Sequence, residues 1–208
     1  MQTDSMNPDW EQLLYQYYKE NGGYLVGNPY NASRYPECHL ILDLEQRPIV
    51  LGTVITSASQ YGCSLAATAQ VQLNLNYPYH LTIQPMNLLK RGIDAVMKED
   101  IHIQEKEFDR KYLIRSDNPD FTREVLPGST LVRLLLTTKY FHVKVAPMAN
   151  DPHLHTLTVT STLVLRDELI GKAMDEAGLK LMIDICREAC EALTRYPMQT
   201  PATVKGDE

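Results

Sequence analysis

The segment from Glu107 to Phe121 constrains the fold more than any other part of the chain, because three local signals follow one another within fifteen residues. A charged turn comes first, and the short apolar stretch around Tyr112 to Ile114 has the composition of a strand. Ser116-Asp-Asn-Pro-Asp120 then breaks that strand, because proline lacks an N–H donor and Asp and Asn favour turns. The sequence therefore predicts a strand, a turn and a helix start in immediate succession.

The helix that follows this turn is predicted to run from Pro119 to Leu126. Either Asp117 or Asn118 can cap its N-terminus, and Gly128 suits a left-handed residue after its end. In the preceding strand Leu113 is expected to point to one face. Three residues are expected to point to the other: Phe108, Tyr112 and Ile114.

Apolar periodicity predicts two further helices that bracket the chain. The first follows Asn7-Pro8 and ends at Gly22-Gly23. The second is the longest predicted element and runs from about Asp167 to Arg195. The apolar stripe of the first helix is Trp10, Leu13, Leu14, Tyr17 and Tyr18.

Alternating apolar residues predict strands between these helices, at about 39–44, 49–55, 69–75, 80–83, 101–104, 140–145 and 154–165. Turns at Glu45–Pro48, Asn76–Tyr79 and Pro147–Pro152 favour hairpins. Residues 85–98 resemble a helix, whereas Leu131–Leu136 fits either helix or strand. We expect an α+β fold, with a curved antiparallel sheet of about seven or eight strands packed against a long C-terminal helix and a short N-terminal helix.

Length and composition place the chain among globular proteins. Its 208 residues, 44% hydrophobic and 22% charged, suffice for a sizeable core. The sequence contains neither an internal repeat nor a low-complexity linker. We therefore predict a single domain over residues 1–196 and a disordered tail over 197–208.

Charge and hydropathy exclude several classes of partner. The net charge is −6 and the 20 Lys and Arg residues are scattered, which argues against nucleic-acid binding. No apolar run approaches the roughly 20 residues that cross a bilayer, and the N-terminus lacks the pattern of a signal peptide. These features predict a soluble, cytoplasmic protein, and they are compatible with a homo-oligomer.

The four cysteines are Cys38, Cys63, Cys186 and Cys190. Cys186 and Cys190 lie four residues apart on a predicted helix and so share a face. We expect two small buried hydrophobic side chains, with a metal or redox pair as the alternative. A low cysteine count also fits a reducing compartment.

The segment Phe108-Asp-Arg-Lys-Tyr-Leu-Ile-Arg-Ser-Asp-Asn-Pro119 resembles a pattern found in several uncharacterised families of bacterial proteins, Phe-Asp-Arg-Arg-Phe-x-Val-Arg-x-x-Asp-Pro. The resemblance covers about residues 100–195. Many members of such families are anchored by flanking membrane segments, which this sequence does not contain. Because the families have no assigned reaction, the resemblance implies kinship and shape but no activity.

Four charged residues of this segment are candidates for a binding site: Asp109, Arg110, Arg115 and Asp117. Together they could bind an anion or perform acid–base chemistry, and Arg115 at a strand end could hold a carboxylate or phosphate in a bidentate manner. The alternative is structural, in which Asp109 and Arg115 hydrogen-bond to the turn backbone. Arg115 is the first residue to test.

Other candidate chemistry is sparse. His153 and His155 alternate at a strand start, so both imidazoles should point to one face as two metal ligands would, but a solvent-facing pair is the simpler interpretation. An acidic region, usually a solvated face, comprises Asp94, Glu99, Asp100, Glu105 and Glu107. We predict no metal, no cofactor and no catalytic grouping from motifs.

Two functions follow as hypotheses. The first is a non-enzymatic module of the bacterial cytoplasm that binds a small molecule or a protein, with an apolar cavity or exposed apolar patch as its expected mark. The second is a hydrolase or isomerase whose site forms around Asp109, Arg115 and a histidine. An enzyme of that kind requires at least two of these polar side chains to converge in one pocket.

Overall fold

The computed structural model describes residues 8–27, 38–44, 47–59, 62–86, 100–138, 140–164 and 174–195. Its centre is an open, eight-stranded antiparallel sheet with the strand order β1-β2-β3-β4-β8-β7-β5-β6. This arrangement, with helices at both ends of the described chain, confirms the predicted α+β class. The strands are β1 Tyr24–Val26, β2 His39–Leu44, β3 Arg47–Ser59, β4 Gly62–Asn74, β5 Leu81–Pro85, β6 Tyr112–Ser116, β7 Phe141–Met148 and β8 Asp151–Val164.

Five helices accompany the sheet in the described part of the chain. They are α1 Pro8–Asn21, α2 Lys106–Lys111, α3 Pro119–Val125, α4 Thr130–Thr137 and α5 Glu176–Arg195. Trp10 and Leu14 of α1 are buried, which confirms the predicted packing stripe of the N-terminal helix. The apolar run at Leu131–Leu136, which the sequence left open, is helical, and Ser129 caps it by accepting a hydrogen bond from the Val132 N–H at 3.3 Å.

The two faces of the sheet differ in burial, because side chains alternate along every strand and the strands are in register. One face is buried, and the other, called the open face, is more accessible, although Ala66, Thr68 and Leu113 on it are buried. Across the sheet, the buried row comprises Leu40, Leu51, Ala69, Val159, Val143, Ile83 and Ile114. The next row lies on the opposite face and comprises Ile41, Val50, Gln70, Thr158, Lys144, Thr82 and Arg115. The hydrophobic core therefore lies between the buried face and the helices, whereas Arg115 belongs to the open face.

The segment from Glu107 to Phe121 largely folds as its local signals predict. The charged turn is the short helix α2, so Phe108 is helical and not part of the strand, yet its ring still stacks on Tyr112 at 4.7 Å. Asn118 caps α3, since its Oδ1 accepts a hydrogen bond from the Phe121 N–H at 3.1 Å. Gly128 has a φ of 67°, the left-handed conformation predicted for it.

The predicted hairpin around Asn76–Tyr79 is wrong. β4 pairs with β3 and β8, whereas β5 pairs with β6 and β7. The β7–β8 hairpin lies between β4 and β5, so residues 75–80 pass the ends of two strands, and β5 runs opposite to β4 without pairing with it.

The predicted strand at Ile101–Gln104 is also wrong. Ile101 makes one ladder-like bond, from its N–H to the Ile114 carbonyl at 2.9 Å, but Gln104 has a φ of 65° and ends any extended path. A helix was also predicted at residues 85–98. Pro85 belongs to β5, Met86 is described but not helical, and residues 87–98 lie outside the described part of the chain.

The C-terminal helix starts later than its apolar periodicity predicts. Met174 and Asp175 are not helical, and α5 begins at Glu176. Asp175 acts as the N-cap, because its Oδ1 accepts from the Gly178 N–H at 2.7 Å while its carbonyl accepts from Leu179 N–H at 2.9 Å. Asp167, the predicted start, and the tail at 197–208 lie outside the described residues. None of the described helices has the length and apolar character needed to span a membrane.

Candidate functional site

A cleft of about 560 Å³ opens where β5 begins, β6 ends and α3 follows. Arg115 of β6 enters it from the open face of the sheet, beside Thr82 of β5. Arg123 of α3 lines it from the opposite wall. Its polar lining comprises His80, Asp100, Arg115, Ser116, Asp117 and Arg123.

His80 and Asp117 form a hydrogen-bonded pair in this cleft. The Nδ1 atom of His80 lies 2.8 Å from Oδ2 of Asp117, and the His80 backbone N–H donates to Oδ1 at 2.9 Å. Both side chains are accessible to solvent, with 59% and 45% of their surfaces exposed. The carboxylate therefore fixes both the backbone and the ring of His80, while the rest of the imidazole remains open to a ligand.

The second carboxylate of the cleft, that of Asp100, is hydrogen-bonded to the backbone. Its Oδ1 accepts a hydrogen bond from the Ile114 N–H at 3.1 Å. Asp100 thus caps the outer edge of β6, where a strand would otherwise expose an unpaired donor. Arg123 makes a contact of 3.3 Å with Asp120, an aspartate whose side chain is almost fully exposed.

The four residues predicted for the site divide into two groups. Arg115 and Asp117 lie in the cleft. Asp109 faces elsewhere and holds a turn, because its Oδ1 accepts from the Ile103 N–H at 3.1 Å. Arg110 is exposed on α2 and is not among the residues that line the cleft. Asp109 thus makes the hydrogen bond to a turn backbone that the structural alternative describes, and it does not line the cleft with Arg115.

Other acidic residues near α2 also serve the backbone or neighbouring cations. Glu105 accepts from the Gly128 N–H at 2.6 Å, and Glu107 pairs with Lys111 at 2.6 Å. Hydrogen bonding to Lys111 lowers the pKa of the exposed Glu107 carboxyl. Among the described residues, no group of three or more His, Cys, Asp or Glu side chains is arranged to hold a metal ion.

His153 and His155 both bind the segment that leads into the cleft. His153 Nδ1 lies 3.0 Å from the Asn76 carbonyl oxygen. The fully buried His155 accepts the Tyr79 N–H on Nε2 at 2.9 Å, and its Nδ1 lies 3.0 Å from the His153 carbonyl. Both ring nitrogens of His155 are thus engaged within the protein, and because His155 is buried the predicted solvent-facing pair is wrong for this residue.

Tyr79 connects this segment to the far wall of the cleft. Its hydroxyl lies 2.9 Å from Thr122 Oγ1, which donates to the Asn118 carbonyl at 2.8 Å, and its ring meets Phe121 edge-on at 5.2 Å. Burial raises the pKa of Tyr79 to about 12, although hydrogen bonds to Thr122 and Ser116 oppose the shift. The base of α3, and with it the position of Arg123, is therefore fixed to residue 79.

A second cavity of about 310 Å³ lies between β3, β4 and α5. Its lining includes Arg47 from β3, Val71 from β4, and Arg187, Cys190 and Glu191 from α5. The three cysteines whose side chains are described, Cys38, Cys186 and Cys190, are free thiols and are buried, which for Cys186 and Cys190 is the predicted outcome.

Sequence reasoning missed His80 and Arg123 as site residues. His80 reaches the site through Asp117, 37 positions further along the chain. Arg123 carries a faint signal, since it lies four residues after Pro119 on the predicted helix and so returns to the face near its start.

Comparison with known proteins gives no family for this chain: no family model, no curated protein and no solved structure matches it. The resemblance to bacterial families of unknown function therefore stays a prediction.

Proposed function

We propose that this protein is a non-enzymatic binding module of the bacterial cytoplasm, and that its cleft takes a small ligand carrying carboxylate or phosphate groups. The observation that carries the proposal is the convergence of Arg115, Arg123 and His80 on one cleft of about 560 Å³. That volume falls in the range of sites for small molecules.

The charges of the cleft support an anion over a cation. Both Asp100 and Asp117 accept hydrogen bonds from backbone N–H groups, which engages their oxygens within the protein. The guanidinium of an arginine, in contrast, presents a fork of donors that matches a carboxylate or phosphate. Arg115 stands on a strand and Arg123 on a capped helix, so both are presented by ordered elements.

The mixed lining differs from the apolar cavity that the sequence led us to expect of a binding module. Thr82, Ser116 and the charged residues replace the apolar wall, because this part of the sheet belongs to the open face. With that lining, the cleft should recognise its ligand by hydrogen bonds and charge and not by packing against an apolar wall.

The proposal is tested first by native mass spectrometry of protein purified from its source, which detects a retained ligand. Isothermal titration calorimetry with inorganic phosphate and with citrate then measures binding to the wild type, Arg115→Gln and Arg110→Gln. We expect Arg115→Gln to weaken binding by about tenfold or more, since a hydrogen bond to a charged group contributes about 1.5–3 kcal/mol. Arg110→Gln, the matched control on α2, should bind as the wild type does.

Two results would contradict the proposal. One is equal loss of binding in both arginine variants, which would indicate a general charge effect. The other is the absence of any retained ligand together with no measurable binding of either anion.

The His80–Asp117 pair favours a second candidate, a hydrolase or isomerase. A carboxylate that orients an imidazole is the usual support of a general base, and Ser116 lies in the same cleft. A panel of carboxylic and phosphate esters tests this alternative. It requires turnover that is lost in His80→Ala and kept in His153→Ala, and the absence of turnover in the wild type would exclude those ester reactions.

A further inference from the structure

The cavity beneath α5 differs from the cleft in that it contains a thiol. Cys38 and Cys186 are both 0% exposed, whereas Cys190 is 7% exposed and lines a cavity of about 310 Å³. Among the described cysteines, Cys190 is thus the one that a small molecule can reach without unfolding of the chain.

The surroundings of Cys190 favour a negative charge. Arg47 and Arg187 line the cavity together with one carboxylate, that of Glu191. Glu191 is paired with Arg195 at 2.6 Å, and Arg187 with Asp184 at 2.7 Å, which leaves Arg47 as the cation that acts on the thiol most directly. Reactive cysteines occupy electropositive, partly accessible sites of this kind.

The two thiols of α5 are not equivalent. Hydrogen bonding from the Cys186 thiol and the proximity of Arg47 hold the pKa of Cys190 below its usual range, against the effect of burial. The same pairing with Cys190, together with burial, raises the pKa of Cys186. Because Cys190 lines the cavity and Cys186 is fully buried, Cys190 is the thiol of the pair that can act as the nucleophile.

We infer that Cys190 is a site of thiol–disulfide exchange with small anionic disulfides, and that the cavity holds the group it acquires. Cys190 loses its proton to solvent, and its thiolate attacks one sulfur of the disulfide. The S–S bond of the reagent breaks as the new S–S bond forms, and the other sulfur leaves as a thiolate that takes a proton from solvent. Cys190 is oxidised to a mixed disulfide, and one half of the reagent is reduced to a thiol.

The mixed disulfide should persist instead of passing to Cys186. Residues four apart on an intact helix have Cβ atoms about 5–6 Å apart. A disulfide needs Cβ atoms at roughly 3.5–4.5 Å. Resolution by Cys186 would therefore require α5 to unwind, and the helix is buried along this face. Cys186 acts as a positioning residue.

The experiment exposes the folded protein to oxidised glutathione, with detection by intact mass and location by peptide mapping. In a Cys63→Ser background we expect one glutathionyl adduct on Cys190, removable by dithiothreitol, with Cys38 and Cys186 unmodified. Burial raises the pKa of Cys38 to about 11, so it is an internal control within the same molecule. An adduct that forms on Cys38 or Cys186 as fast as on Cys190, or on Cys190 only in denaturant, would overturn the inference.

Variants separate the roles of the neighbouring side chains. Arg47→Gln should slow the reaction roughly three- to tenfold by removing the cation beside the thiolate, while Arg133→Gln on α4 should leave the rate unchanged. Cys186→Ala should slow it and Cys186→Ser should restore it, because serine keeps a hydrogen-bond donor. Equal rates in all four variants would mean that the cavity does not activate Cys190.

The charge of the reagent gives an independent test that needs no substitution. The rate with oxidised glutathione, which is anionic, is divided by the rate with cystamine, which is cationic, for both folded and urea-unfolded protein. We expect this ratio to be larger in the folded state. A ratio that is equal or smaller would show that Arg47 and Arg187 do not select an anionic partner.

Discussion

The Nε2 atom of His155 accepts a hydrogen bond from the backbone N–H of Tyr79 at 2.9 Å. This contact fixes the tautomer of the ring, because Nε2 must carry a lone pair and Nδ1–H then donates to the His153 carbonyl at 3.0 Å. Burial lowers the pKa of His155, and only weaker contributions oppose it. A buried imidazole thus holds the segment that presents His80 to the cleft.

Stability should therefore fall on acidification through the titration of His155. The folded pKa lies below the unfolded value of about 6.5, so the unfolded chain binds more protons as the pH drops below that value. The stabilising contribution is complete above pH of about 6.5 and is lost progressively as the pH falls toward the folded pKa. Urea denaturation at a series of pH values between 5 and 8 measures this change in the free energy of unfolding.

Other titrating groups contribute to that curve, so the His155 contribution is isolated by substitution. His155→Leu should cost about 1–3 kcal/mol at neutral pH, since the Tyr79 N–H loses its partner, and should flatten the dependence on pH. His153→Gln, which changes the exposed histidine two residues away, should retain most of the dependence of stability on pH. If His155→Leu and the wild type show parallel curves, His155 is not the group responsible.

Tyr112→Phe should destabilise the protein by about 1–2 kcal/mol. The buried hydroxyl of Tyr112 lies 2.7 Å from the carbonyl oxygens of both Leu135 and Thr138, where α4 ends. Burial raises the pKa of this hydroxyl, consistent with its role as a donor. Thermal and urea unfolding measure the change, and Tyr140→Phe, at a tyrosine that is 43% exposed, should lie within about 0.5 kcal/mol of the wild type.

Asp175→Ala should cost about 1 kcal/mol, because the N-cap of α5 is lost. Asp175→Asn should cost less, since asparagine caps almost as well. Unfolding in urea measures both variants, and faster amide exchange at Gly178 should accompany the alanine change. An effect equal in both variants would argue against the hydrogen bond from Gly178 N–H as its source.

Gly128→Ala should destabilise the protein by about 1–2 kcal/mol through backbone strain alone. Gly128 has a φ of 67°, yet nothing lies within 4 Å of where a Cβ would be added. Gly128→Asn should cost less, because asparagine tolerates the left-handed region better than alanine does. Equal melting temperatures for the wild type and the alanine variant would contradict this explanation.

Elements with strong local signals were predictable from sequence. The cap of α3 and the left-handed Gly128 each depend on a few neighbouring residues, so the pattern limits the cap to Asp117 or Asn118 and indicates Gly128. The start of α5 was not predictable in this way. The apolar spacing continues upstream to Met174, but the helix begins only after Asp175. Periodicity reports which face is apolar, whereas a helix end depends on backbone hydrogen bonds.

Strand order and the composition of the cleft depend on contacts between distant residues. No local pattern indicates that the β7–β8 hairpin lies between β4 and β5, since that pairing is decided by the packing of the whole sheet. For the same reason Arg115 could be singled out from its own segment, but its neighbour His80 could not. Asp109 and Asp117 were both candidates from sequence, but Asp109 binds only the Ile103 N–H among the contacts described, whereas Asp117 binds the backbone N–H and the ring of His80 in the cleft.

The alternation of side chains along the strands separates the two cavities from each other. Arg115 and Thr82 lie on the open face, whereas Ile49 and Val71 line the cavity under α5 from the buried face. β6 and β4 are four positions apart in the sheet, a distance of about 19 Å at the usual strand spacing. A ligand in one cavity should therefore leave the affinity of the other cavity for its ligand unchanged. The changes that Arg115→Gln and Arg47→Gln cause in the free energy of unfolding should likewise be additive.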